Sequence, residues 1–112
     1  MLINFSNHPS SLWDKKQTLA AVEMYGNIID VPFPKVDPKG DKAYIRRLAE
    51  DCFKQITSQP GIQAVHIMGE QNLCFLLIKM LMAKGIKCIA STTIRNAGKE
   101  PAFSFEQFRE YE

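Results

Sequence analysis

Residues 61–90 read GIQAVHIMGEQNLCFLLIKMLMAKGIKCIA, and this stretch decides the fold. Ile62 to Met68 is a short apolar run bounded by Pro60-Gly61 and Gly69-Glu70, as expected of a buried strand. Gln71 to Lys84 is apolar on nearly every side, the mark of a helix buried all round, and Gly85 ends it. Ile86 to Ala90 is again a short apolar run. A strand, a buried helix and a second strand in about thirty residues form a parallel β-α-β unit.

The same alternation extends outward. Leu2-Ile3-Asn4-Phe5 reads as a strand. Ser11 and Asp14 have the spacing of a capping box, which predicts a helix starting near Leu12. Trp13, Ala20, Ala21 and Met24 share one helical face, and Gly26 is placed to end it in a left-handed cap. Ile28 to Val31 is a second strand, stopped by Pro32-Phe33-Pro34. Asp37-Pro38 offers an early helix start. Ile45, Leu48, Ala49, Cys52, Phe53 and Ile56 then follow the helical period, with charged residues opposite. Beyond residue 90, Ser91 to Arg95 extends the strand or leaves it. Asn96 to Lys99 is a turn, and Ala102 to Phe108 alternates as a fifth strand of an antiparallel hairpin. The prediction is one Rossmann-like domain over residues 1–112, a three-layer α/β sandwich. Its sheet is mostly parallel, of order 2-1-3-4-5, with an antiparallel strand at the end.

Composition narrows the function classes. The chain has 112 residues, a hydrophobic fraction of 46% and a net charge of +2, so charge alone gives no basis for duplex nucleic-acid binding. The three cysteines, Cys52, Cys74 and Cys88, are odd in number and lie among apolar neighbours. They read as reduced core residues of a cytoplasmic protein, not as a disulfide or metal set. The N-terminus lacks the basic region of a signal peptide, and Leu73 to Ala83 falls short of the ~20 residues needed to span a bilayer, so no membrane association is expected.

In a sheet of this order, ligands bind outside the carboxyl ends of the strands, where the winding reverses between strands one and three. Three polar loops meet there. The first holds Ser6, Asn7, His8, Ser10 and Ser11 before a helix N-terminus, a setting that favours an anion. His8 is a candidate general acid or base, and the bland reading is a turn with capping serines. The second loop holds Gly69, where a ligand can approach the backbone, and Glu70. Glu70 reads either as a catalytic carboxylate or as a first-turn helix residue. The third holds Thr92, Thr93 and Arg95, which read as ligands for phosphate or ribose oxygens or as a solvated strand extension. No GxGxxG motif and no P-loop is present. His66 reads as a core histidine, Trp13 as packing under the first helix or stacking on a base, and Phe103, Phe105, Phe108 and Tyr111 as core or dimer surface.

The segment INFSNHPSSLWDKKQ, residues 3–17, resembles the opening of small CRISPR-associated proteins built on a minimal Rossmann-like (CARF-type) domain. Phe5, Ser6, His8, Pro9, Trp13 and Gln17 carry the resemblance, together with the element order. It implies a homodimer that binds a cyclic oligoadenylate second messenger across its two-fold axis, in antiviral defence. In some members it also implies cleavage of that ligand without metal or cofactor, by the ribose 2′-hydroxyl. Within the three loops only Arg95 is a strong cation. Two rival functions stand beside this one: a small-molecule transferase or glycoside-bond enzyme using Glu70, and a non-catalytic protein that dimerises through its terminal aromatics.

Overall fold

The computed structural model describes residues 1–112. Five strands form one sheet: β1 (Leu2–Ser6), β2 (Ile28–Asp30), β3 (Ala64–Met68), β4 (Lys87–Arg95) and β5 (Phe103–Glu110). Three helices lie between them: α1 (Lys15–Tyr25), α2 (Lys42–Thr57) and α3 (Gln71–Ala83). The strand order is β2-β1-β3-β4-β5, with the first four parallel and β5 antiparallel to β4, as the alternation of elements predicts.

The strands divide the core in two. Ile3, Phe5, Val65, Ile67 and Cys88 point to the face covered by α2 and α3, where they meet Ala49, Cys52, Ile56, Leu73, Leu77 and Leu81. Leu2, Ala64 and Ile89 point the other way and pack with Ala21, Tyr25 and Trp13 of the α1 side. Alternation along a strand therefore puts Asn4, Ser6, His66 and Ser91 on the α1 face too. That face has a single helix over it, so its outer part is open. All three cysteines are buried and unpaired, and burial pushes the thiols of Cys74 and Cys88 up to about 11, leaving them inert apolar fillers.

Several boundaries differ from the sequence expectation, each for a local reason. The first helix does not begin near Leu12. Ser10–Leu12 is a single 3-10 turn, and Asp14 is itself the N-cap of α1, its side chain accepting from the Gln17 amide at 2.8 Å. Asp41, not Asp37-Pro38, opens α2 by accepting from the Tyr44 amide at 2.8 Å. Gly26 does end α1 as expected, at φ 87°. β3 starts at Ala64, not Ile62, and β4 runs on through Arg95 because β5 pairs with it along that length. A register shift between Thr92 and Thr93 sets Glu106 as an extra residue in β5. Phe105 and Phe108, three apart, are thereby opposite Thr93 and Ser91, and their rings lie 4.8 Å apart on the α1 side.

Candidate functional site

Three adjacent strands carry a polar residue at the same level. Asn4 of β1 is in register with Asp30 of β2 on one side and with His66 of β3 on the other. The Asn4–His66 pair therefore spans the point at which the winding reverses. Asn4 is 2% exposed and His66 is 2% exposed, so this row must be internally satisfied. It is: no buried side-chain nitrogen or oxygen lacks a partner.

The partners fix the direction of every hydrogen bond. Asn4 Nδ2 lies 2.8 Å from an Asp30 carboxylate oxygen and 2.9 Å from the His8 carbonyl, both of which only accept. Asn4 Oδ1 therefore faces His66 Nδ1, at 2.9 Å, and must accept a proton from it. The neutral ring then has a bare Nε2, which lies 2.7 Å from the hydroxyl of Ser91. Ser91 donates its single proton to His66. The remaining contact, from Gln17 Nε2 at 2.9 Å, is a bond that Ser91 accepts. The row reads Asp30–Asn4–His66–Ser91–Gln17, running from a carboxylate at one end to a serine hydroxyl at the other.

Burial lowers the His66 pKa to about 4, with the nearby His8 adding to the effect. The ring is thus neutral at pH 7, as the hydrogen-bond directions require. Edge contacts from Trp13 and Phe108, at 5.2 and 5.8 Å between ring centroids, hold its plane.

His66 and Ser91 open into a cleft of about 550 Å³ between the start of α1 and the β4–β5 hairpin. That volume is within the ordinary ~300–1,000 Å³ range of small-molecule sites. Trp13, Met68, Phe103 and Phe105 supply apolar wall, and His8, Asp14, Gln17 and Thr93 supply polar groups. Asp14 closes one end, since its second carboxylate oxygen accepts from the Phe105 amide at 3.2 Å and so ties α1 to β5. No lysine or arginine lines the cleft.

The residues expected from the loops divide into two groups. His8 and Thr93 line the cleft. Ser6 lies beneath it, its hydroxyl 2.8 Å from Asn4 Oδ1, where it braces the row. Ser10 is held by Asp30, through its amide at 3.1 Å and its hydroxyl at 2.8 Å. Asn7 and Ser11 are exposed on the turn and do not line the cleft. The expected anion-binding helix start is filled from within, because the Asp14 carboxylate occupies the N-terminus of α1. Glu70 caps α3, with one oxygen 2.6 Å from the Asn72 amide and the other 3.3 Å from the Leu73 amide. Gly69 gives room to the Phe33 ring, which a Cβ would meet at 2.5 Å. Thr92 bonds to the backbone of Gln107, and Arg95 lies at the far end of the hairpin. Glu70, Gly69 and Arg95 are therefore outside this cleft.

Asn4, Asp30, Gln17, His66 and Ser91 are the site residues that loop-by-loop reading missed. For Asn4, Asp30 and His66 the signal was a polar residue at the third position of each of three strands that begin apolar; Gln17 on α1 and Ser91 at the fifth position of β4 carried no such signal. A larger groove, about 860 Å³, runs along the outside of α3 beside Phe75, Ile78, Met82 and Tyr111. It touches none of the polar row. No cluster of His, Cys, Asp or Glu is arranged to hold a metal ion, and no helix is long and apolar enough to cross a membrane.

The family model described as "Uncharacterized protein MJ1673 family" matches residues 1–109. The chain belongs to that family. No curated protein and no solved structure matches it. The match covers every element of the MJ1673 family member described here, from β1 to nearly the end of β5, and includes the whole polar row.

Proposed function

We propose that this domain binds a nucleotide ligand, a cyclic oligoadenylate in keeping with its CARF-type resemblance, at the carboxyl ends of β1, β3 and β4. The observation that carries the reading is the cleft over β3, β4 and β5, which His66 lines beside the β1–β3 reversal of winding, the region where open α/β sheets take their ligands. Trp13, Phe103 and Phe105 offer aromatic surface to a base. Gln17, Ser91, Thr93 and the His8 ring offer hydrogen bonds to base edges and ribose hydroxyls. With no strong cation in its walls, the cleft takes the nucleoside part, and the phosphates lie toward solvent and a second copy of the chain.

Thermal unfolding with cyclic tri-, tetra- and hexa-adenylate and with ordinary mononucleotides tests this. A ligand that binds the folded state at 100 times its Kd stabilises by about 2.7 kcal/mol, enough to move the midpoint by several degrees. Gln17→Ala and Thr93→Ala should weaken the shift. An unmoved midpoint with every nucleotide would overturn the reading. Chromatography of the incubated ligand then separates a sensor, which returns it intact, from a phosphodiesterase, which linearises it. Light scattering with and without ligand reports whether a second copy takes part.

A further inference from the structure

The polarity of the row gives Ser91 an unusual setting. Its only proton points at a bare imidazole nitrogen 2.7 Å away, and that imidazole is oriented from behind by Asn4 Oδ1 at 2.9 Å. Nucleophile, base and orienter thus stand in the sequence used by Ser-His-Asp and Cys-His-Asn hydrolases, a constellation recognised by geometry and not by chain order. A second feature is independent of the first. The Ser91 backbone N–H lies beyond the last register pair of β3 with β4, His66 with Ile89, and points only at the Met68 sulfur, at 3.3 Å. A thioether is a weak acceptor on a flexible side chain, so this donor is available to a developing oxyanion. The Gln17 amide stands on the other side of the hydroxyl.

We propose that Ser91 is a nucleophile activated by His66, with Asn4 as positioning residue, and that it transfers the acyl group of an uncharged, apolar carboxylic ester or thioester to water. The substrate class follows from the cleft, which has apolar walls at Trp13, Phe103 and Phe105 and no lysine or arginine to pair with an anion. The inference stands whether or not a nucleotide binds there.

The Ser91 proton passes to His66 Nε2 as Oγ bonds to the carbonyl carbon, and the carbonyl π pair moves to oxygen, against the Ser91 N–H. Collapse breaks the bond to the leaving alkoxide or thiolate, which takes the proton from Nε2. Water then adds to the acyl carbon, giving one proton to Nε2. Collapse releases the carboxylic acid and returns that proton to Ser91 Oγ. The titratable groups around His66 are His8 on the turn after β1, Asp14 at the start of α1, and Asp30 of β2 behind Asn4.

The test is labelling of the whole protein at pH 7 with a fluorophosphonate, which forms an Oγ–P bond and expels fluoride, followed by mass spectrometry. The expected result is one adduct, on Ser91, forming about 100-fold faster than on exposed serines such as Ser11 or Ser58, and slowed about 100-fold by His66→Gln. p-Nitrophenyl butyrate should be hydrolysed with the same dependence and not at all by Ser91→Ala. Labelling of Ser91 no faster than of the exposed serines would overturn the proposal, and this comparison needs no variant to fold. So would Ser91 labelling that a folded His66→Gln protein retains in full.

Discussion

His66 Nε2 accepts the hydroxyl proton of Ser91 across 2.7 Å, a direction imposed by a carboxylate at the opposite end of the row. Asp30 fixes the Asn4 amide, the amide fixes the imidazole tautomer, and the tautomer fixes the serine. A buried polar chain of this kind makes the properties of its members interdependent.

The first consequence is a pH dependence of stability. His66 has its pKa lowered from 6.5 to about 4, so the unfolded chain binds a proton that the folded one refuses between those values. Stability should be full above pH 6.5 and fall as pH drops toward 4, by up to about 3 kcal/mol from this group. Urea unfolding at steps from pH 7.5 to 4 checks it. His66→Gln should remove this part of the slope.

Asn4→Leu should be among the most damaging substitutions in the protein. It leaves the buried His66 Nδ1–H without its acceptor, at about 1–3 kcal/mol, while Asp30 keeps Ser10 and the Ser6 hydroxyl keeps the His8 carbonyl. A drop of that size in urea unfolding is expected.

Asp14→Ala should cost about 1–2 kcal/mol, because one carboxylate both caps α1 and holds the Phe105 amide of β5. Asp14→Asn keeps an acceptor and should restore part of the loss. Increased amide exchange at Gln17 and Phe105 together would show that one side chain serves both elements.

Gly69→Ala should destabilise by about 1–3 kcal/mol through contact of its Cβ with the Phe33 ring. Its backbone φ is not positive, so the cost is one of space. Phe33→Leu should therefore relieve it, a pairing that a double-mutant cycle measures.

The fold was legible because its determinants are local. Helical periodicity from Ile45 to Ile56 and the apolar runs of residues 62–90 specify elements, and short connections between them leave few ways to order a parallel sheet. The helix start at Lys15 was harder, since Ser11 and Asp14 both have capping chemistry, and it is the Asp14 carboxylate that accepts from the Gln17 amide and, across to β5, from the Phe105 amide. The site was legible only in position. Loop residues such as His8 and Thr93 do reach the cleft, but Ser10 and Glu70 spend their polar groups on Asp30 and on α3. The row itself is a register effect. Asn4, Asp30 and His66 are separated by up to 62 positions, and each alone reads as a single polar residue beside apolar ones. Only the pairing of strands brings them to one level.

The most direct test of the row as the working centre is a long-range ¹H–¹⁵N spectrum of the His66 ring at pH 7, with and without a cyclic oligoadenylate that shifts the unfolding midpoint. The expected spectrum shows a neutral ring, protonated at Nδ1 and bare at Nε2, whose Nε2 resonance moves when the ligand is added. A ring protonated at Nε2 at pH 7, or one whose signals ignore a ligand that binds, would contradict the account.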